Sequence, residues 1–186
     1  FRLPIESPKK AFKTSGPKLT VSTNGDNLSA SSSKVNFVFN RKTGIVTSYK
    51  VDGTEYFSEG FGIQPNFWRA PTDNDYGNGM PKRLQVWKES SKNFNVTDAT
   101  VTMDGNNAVV NVNYLLPAGN LYIVNYTIYP SGAVNVAARF TSTDMDAAQT
   151  EVSEATRTAT FTPGRDAARK EASKLNVPRI GVRFRF

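Results

Sequence analysis

One short, aromatic-rich stretch gathers an arginine, two aspartates and two asparagines, and its chemistry sets the first question. Residues 61–77 read F-G-I-Q-P-N-F-W-R-A-P-T-D-N-D-Y-G. Arg69, with Asp73 and Asp75 downstream, has the groups for a guanidinium-to-carboxylate fork that stiffens an irregular loop. Asn74 and the aspartates can also accept local backbone N–H groups as Asx-turns. A glycosidase pair is the sharper alternative. It needs two carboxyls facing each other across a sugar, about 5–5.5 Å apart for retention or about 6.5–9.5 Å for inversion. Carboxylates this close in one turn are more often structural, so no catalytic residue is assigned here. D-N-D could offer oxygen ligands to a cation, but the Gly-x5-Glu completion of a calcium loop is missing, and no metal ligand is assigned either. Gly77, Asn78 and Gly79 form an inexpensive hinge, with two glycines around an asparagine. Trp68 is a candidate for stacking on a sugar ring, weighed against the commoner role of core anchor; the same choice applies to Trp87.

Composition narrows the chemistry further. The 186 residues contain no histidine and no cysteine. Serine–histidine and cysteine–histidine nucleophiles, imidazole-held metals, disulfides and zinc ribbons are therefore unavailable within this sequence. Hydrophobic residues make up 38% and charged residues 21%, a globular balance. No apolar run approaches the ~20 residues of a membrane-spanning helix. The net charge of +7 invites a nucleic-acid reading. Yet the basic residues at Lys9, Lys10, Lys13 and Lys18, in 165–174, and at Arg179, Arg183 and Arg185 follow no stacking, helix-turn-helix or zinc-finger pattern. They read as solvated faces and a linker, with neither nucleic acid nor membrane as partner. Three sequons, at Asn27, Asn95 and Asn125, read as chance in Thr-rich strands.

The elements that must hold the motif are mostly strands. Residues 1–6 read as a short extended piece and 7–18 as a Pro-, Ser- and Lys-rich linker, which places a domain boundary before Leu19. Strands are expected at 19–23, 34–40, 45–51, 94–103, 108–116, 121–129, 133–141 and 180–186. Turn signals such as Asn24-Gly25, Asp52-Gly53 and Asp104-Gly105 separate them. Val35, Phe37 and Phe39 share one face at period two. Ile45, Thr47, Tyr49 and Val51 alternate likewise. One short helix is expected near 80–91, with Pro81 in its first turn and Trp87 anchoring it to a sheet. Residues 144–177 mix a candidate strand at 151–162 with a solvated helix or loop at 165–175. The pattern as a whole is all-β, an antiparallel sandwich.

The thirteen residues P-N-F-W-R-A-P-T-D-N-D-Y-G at 65–77 closely resemble the signature that opens the small-chain domain, the last domain of bacterial family 2 β-galactosidases. Other segments agree in order: F-N-R-K-T-G at 39–44 resembles the family's early hairpin, Trp87-Lys88 its following helix and P-R-I-G-V-R-F at 178–184 a later core strand, and F-R-L-P at 1–4 is similar to the final strand of the preceding immunoglobulin-like domain. The resemblance implies a galactose-mutarotase-like supersandwich, here partial, over 19–186. It implies a parent enzyme that hydrolyses terminal β-D-galactosides with retention, using two glutamates on a separate barrel. Magnesium, and often sodium, would belong to that barrel, and the parent would be a homo-oligomer. The glutamates and the family's small-chain tryptophan fall outside this sequence, so the segment by itself is expected to be inactive. Arg69, Asp73, Asn74, Asp75, Gly77, Asn78 and Gly79 carry over as a loop beside the active site, with a mobile portion starting at Gly77. With Phe1 in place of Met, the chain is expected to be cut from something longer, and its compartment stays open between cytoplasm and periplasm. The alternative is a stand-alone carbohydrate-binding module acting through Trp68.

Overall fold

A computed structural model describes residues 13–58, 61–116, 119–141, 180–183 and 185. The chain opens as a five-stranded antiparallel meander: β1 (Thr20–Asn24), β2 (Asn27–Ser31), β3 (Val35–Asn40), β4 (Ile45–Val51) and β5 (Thr54–Glu55). A second meander, ordered β10-β9-β8-β7, follows with β7 (Asn95–Asp104), β8 (Asn107–Leu115), β9 (Leu121–Ile128) and β10 (Val134–Thr141). Between them lie β6 (Gln64–Asn66) and three short helices, α1 (Asp73–Gly77), α2 (Met80–Arg83) and α3 (Gln85–Ser90). The last strand, β11 (Gly181–Arg183), returns to pair with β6. The architecture is an all-β sandwich.

Alternation builds the interface between the sheets. Val35, Phe37 and Phe39 of β3 point inward and are fully buried, as are Ala108, Val110, Val112 and Tyr114 on β8. Tyr122, Val124, Tyr126 and Ile128 do the same on β9. The Phe37 and Phe39 rings meet Tyr126 of the opposite sheet, with centroids 5.5 and 6.3 Å apart. Each such side chain contributes about 1.5–3 kcal/mol by leaving water, and the pleat sets which ones can.

Two tyrosines tie the layers reciprocally. Tyr49, on the first sheet, donates its hydroxyl to the Gly132 carbonyl in the turn between β9 and β10. Tyr114, on the second sheet, donates to the Gly44 carbonyl in the turn between β3 and β4, at 3.0 Å. Each hydroxyl thus finds an acceptor at a turn of the other sheet, as a buried phenol requires. Burial also pushes the phenols of Tyr114 and Tyr126 well up, and that of Tyr122 up to about 12.

The structure departs from the sequence reading in four places. β4 does not keep one alternating face: Phe37 pairs with Tyr49 and Val38 with Ser48, but Phe39 pairs with Val46, leaving Thr47 as the extra residue of a β-bulge. Val46 is therefore buried and Thr47 exposed, and the inward phase resumes only at Tyr49. β2 was not expected as a strand, although Leu28 and Ala30 are its buried face. The helix of 80–91 is broken at Leu84, whose φ of −109° and ψ of 20° separate α2 from α3. A further helix, α1, occupies Asp73–Gly77, where an irregular loop was expected. The readings of 1–6, of 144–177 and of the Phe184–Phe186 end of the last strand lie outside the described residues, apart from Arg185. Of the linker, 13–18 is described: it is exposed but runs close against the Pro130 carbonyl at Gly16.

Candidate functional site

The connection from β6 to α3 forms one end of the sandwich. Its entry is fixed by backbone. The Val46 amide donates to the Ile63 carbonyl at 3.1 Å, and the chain passes so close at Gly62 that a Cβ there would lie 1.5 Å from the Val46 carbonyl oxygen. Only glycine fits. Downstream, the Phe67 amide donates to Ser91 Oγ at 2.7 Å, and that hydroxyl donates to the Trp87 carbonyl at 2.9 Å. One serine thereby couples the start of the connection to the end of α3. The Phe67 ring packs against Tyr122, Trp87 and Phe140, with centroids 5.0, 6.2 and 6.1 Å away. Trp87 is a core anchor, as its helical spacing suggested.

The Arg69 fork forms, but with one aspartate. Arg69 Nη2 donates to Asp75 Oδ1 at 2.8 Å and Nη1 donates to Oδ2. The Thr72 amide and hydroxyl both donate to Asp75 Oδ2 at 2.8 Å. Thr72 is the N-cap of α1 and Asp75 its third residue, so the carboxylate reaches back in the manner of a capping box. These bonds, the Arg69 fork first, hold the Asp75 carboxyl well below the usual carboxylate range. With its oxygens so committed, Asp75 is a permanent anion and a structural acceptor. It cannot serve as a general acid near neutral pH. Asp73 and Asn74 stand exposed in the first turn of α1, outside the fork. Among the described residues no group of three or more acidic side chains is placed to hold a metal ion.

At the segment read as a hinge, α1 and α2 meet. Gly77 ends α1 in ordinary backbone geometry. Gly79 takes φ +69° as the N-cap of α2, a left-handed conformation that favours glycine, and Asn78 Oδ1 accepts the Met80 amide at 3.0 Å. Tyr76, the residue before Gly77 in α1, is 65% exposed and presents a large apolar face to solvent.

Trp68 is partly buried against the core, and it walls two adjoining clefts. One, of about 340 Å³, lies between Trp68, Tyr76, Pro81 and Glu89; the other, of about 320 Å³, lies between Trp68, Arg69, Ser91 and Arg183. Lys88 and Lys92 line both. Arg183 enters from β11: its Nη2 donates to Gln64 Oε1 at 3.2 Å and to the Ser91 carbonyl at 3.3 Å, and its guanidinium lies 5.5 Å from the Phe61 ring centroid. Sequence reading singled out Trp68 and the 69–79 residues but not this basic wall. Lys88 and Lys92 sit four residues apart, a legible helix-face spacing; Arg183 gives no local signal, because only the β6–β11 pairing brings it here.

Residues 31–186 match the family model described as the β-galactosidase small chain. The chain belongs to that family. Among its relatives is a β-galactosidase of Priestia megaterium, 33% identical over 138 residues, covering 73% of this chain and 13% of that protein. A β-galactosidase small subunit of Latilactobacillus sakei is 26% identical over 129 residues, covering 56% of this chain and 39% of the subunit. A β-galactosidase of Kluyveromyces lactis is 27% identical over 137 residues, covering 68% of this chain and 13% of that protein. The matched small-chain segment is thus a minor part of the longer relatives. Both the aromatic-rich motif and the pair Trp87-Lys88 fall within the family match.

Proposed function

We propose that this small-chain domain is an accessory part of a retaining β-galactosidase, acting on terminal non-reducing β-D-galactosides whose bonds are broken by glutamates on another domain. The family match across 31–186 carries this reading. The geometry supports an indirect role: Asp75 is locked by Arg69 and Thr72, so it holds loop shape and does not move protons. Arg69, Asp73, Asn74, Asp75, Gly77, Asn78 and Gly79 form the rim of the sugar site, and the joint at Gly77–Gly79 lets that rim adjust. Magnesium, and often sodium, belongs to the catalytic barrel of the same polypeptide, in a homo-oligomer. The 186-residue segment alone does not turn over substrate.

The test is to express the complete reading frame and measure galactose release from lactose, alongside the segment alone. Turnover by the complete product, with none by the segment, is expected. Replacing Arg69 by Met then raises KM several-fold more than it lowers kcat, because the rim loses its shape while the distant carboxylates stay in place. A complete product without galactosidase activity, or an unchanged KM in the Arg69→Met variant, would overturn the proposal.

A further inference from the structure

The wall around Trp68 carries an unbalanced charge. The cleft between Trp68 and Ser91 is lined by Arg69, Lys88, Lys92 and Arg183, and by no carboxylate. Of these four, only Arg69 has an ion-pair partner among the described residues, Asp75. Lys88, in α3, and Lys92, two residues past the end of that helix, are both exposed. Arg183 is committed through Nη2, yet its buried Nε–H has no acceptor among the described residues. A buried donor without an acceptor is costly, and cations gathered around a concavity raise the local concentration of anions. The complement of such a wall is an oxyanion.

The concavity also has an aromatic side. Trp68 and the exposed Tyr76 flank the adjoining cleft, and an indole face beside polar groups suits the apolar face of a sugar ring. A volume of about 320 Å³ is at the lower end of small-molecule sites, enough for one charged sugar unit. We infer that this cleft holds the anionic substituent, carboxylate or sulfate, of an acidic β-galactoside. Lys88, Lys92 and Arg183 would bind the oxyanion while Trp68 packs on the sugar ring that carries it. The site selects among aglycones; it adds nothing to bond cleavage. This inference rests on the proposed placement of the domain at the rim of a galactosidase site, and deepens it by naming the substrate class.

The experiment uses the complete polypeptide and substrates that share the galactosyl group. Lactose has a neutral aglycone; the β-1,4-galactoside of glucuronic acid has a carboxylate on that ring; lactose 6-sulfate on the glucose unit has a sulfate. The ratio of kcat/KM for each acidic substrate over lactose is the readout, at low and high salt. A ratio above one that falls with salt is expected for at least one acidic substrate, and which one responds identifies carboxylate or sulfate. Replacing Lys88 and Lys92 together by Gln lowers that ratio about tenfold, the scale of two partly exposed charge contacts, whereas the double Lys→Arg variant keeps it. Ratios unaffected by the Gln variants, with lactose still cleaved, would overturn this inference and leave the proposed function standing. So would Gln variants that change only the assembly of the polypeptide, since the wall would then face an acidic segment of a neighbouring domain. Failure to cleave lactose as well would sink both.

Discussion

The sandwich interior and the end formed by 66–92 spend their polar groups differently. In the interior, the tyrosine hydroxyls of Tyr49 and Tyr114 are consumed in joining one layer to the other. At the end, Arg69 and Thr72 are consumed in shaping a loop around Asp75, while Lys88 and Lys92 project without an ion pair among the described residues. Neutral donors can be buried once an acceptor is supplied, because little desolvation energy is left unrecovered. Cations stay at the water boundary unless an anion is brought to them. The interlayer ties of Tyr49 and Tyr114 are satisfied within the fold, although the buried Tyr126 hydroxyl finds no partner among the described residues, whereas Lys88 and Lys92 have no anion partner among them.

Substitutions at two glycines sharpen this contrast most. Gly62→Ala forces a Cβ into the Val46 carbonyl, and backbone at the sheet junction must move. A loss of about 4 kcal/mol or more is expected in urea unfolding of the 186-residue chain. Gly77→Ala, at the rim, meets nothing within 4 Å and should stay within about 0.5 kcal/mol of the parent. Equal losses at the two positions would erase the distinction.

The next effect concerns the interlayer ties. Tyr114→Phe keeps the ring among its buried neighbours but leaves the Gly44 carbonyl without this donor, so about 1–2 kcal/mol should be lost, read as a shift in urea midpoint at unchanged slope. A neutral result would mean that the hydroxyl is not needed between the layers.

The smallest effect lies in acid. The Asp75 carboxyl is lowered, by the Arg69 fork first, and so is that of Glu55, where burial pushes up but the Ser48 hydroxyl, the Tyr49 and Phe57 amides and the Lys50 charge together outweigh it. A carboxyl with a lowered folded pKa binds its proton more tightly in the unfolded chain. Its stabilising contribution is complete above the ordinary pKa of about 4 and drains away as pH falls through the folded value. Stability should therefore decline below about pH 4–5. Asp75→Asn should flatten part of that slope, with the Glu55 share remaining. The pair is open to solvent on the Arg69 side, so salt should diminish the Asp75 share. An unchanged acid slope in Asp75→Asn would show that the fork is not formed in solution.

What could be read from the residues follows from how local each signal is. β3 and β8 announce themselves by strict alternation of large apolar residues, and the turns by Asn-Gly and Asp-Gly. β2 escapes because N-L-S-A-S is built of small, weakly strand-forming residues whose burial comes from its neighbours. The phase of β4 was misread because a bulge leaves no mark in the residue text; its evidence is the opposing strand. Arg69 with Asp75 was legible as a charge pair. That Asp73 stays out of it follows from α1, whose Thr72-x-x-Asp75 spacing was itself a helix-start signal. The basic wall was legible only in part: Lys88 and Lys92 are close in sequence, but Arg183 contacts the Ser91 carbonyl across 92 residues of sequence.

The two tyrosine ties also bear on the order in which the chain folds. Within each of the two meanders, neighbours in sequence are neighbours in space, so every hairpin can zip from its own turn with small loop-closure cost; the β6–β11 pair is the exception. The bonds of Tyr114 and Tyr49 span 70 and 83 residues and can form only once two finished meanders meet. They are long-range contacts, so the docking of the layers is expected to follow the local assembly of each meander, an order that refolding rates of Tyr49→Phe and Tyr114→Phe would check.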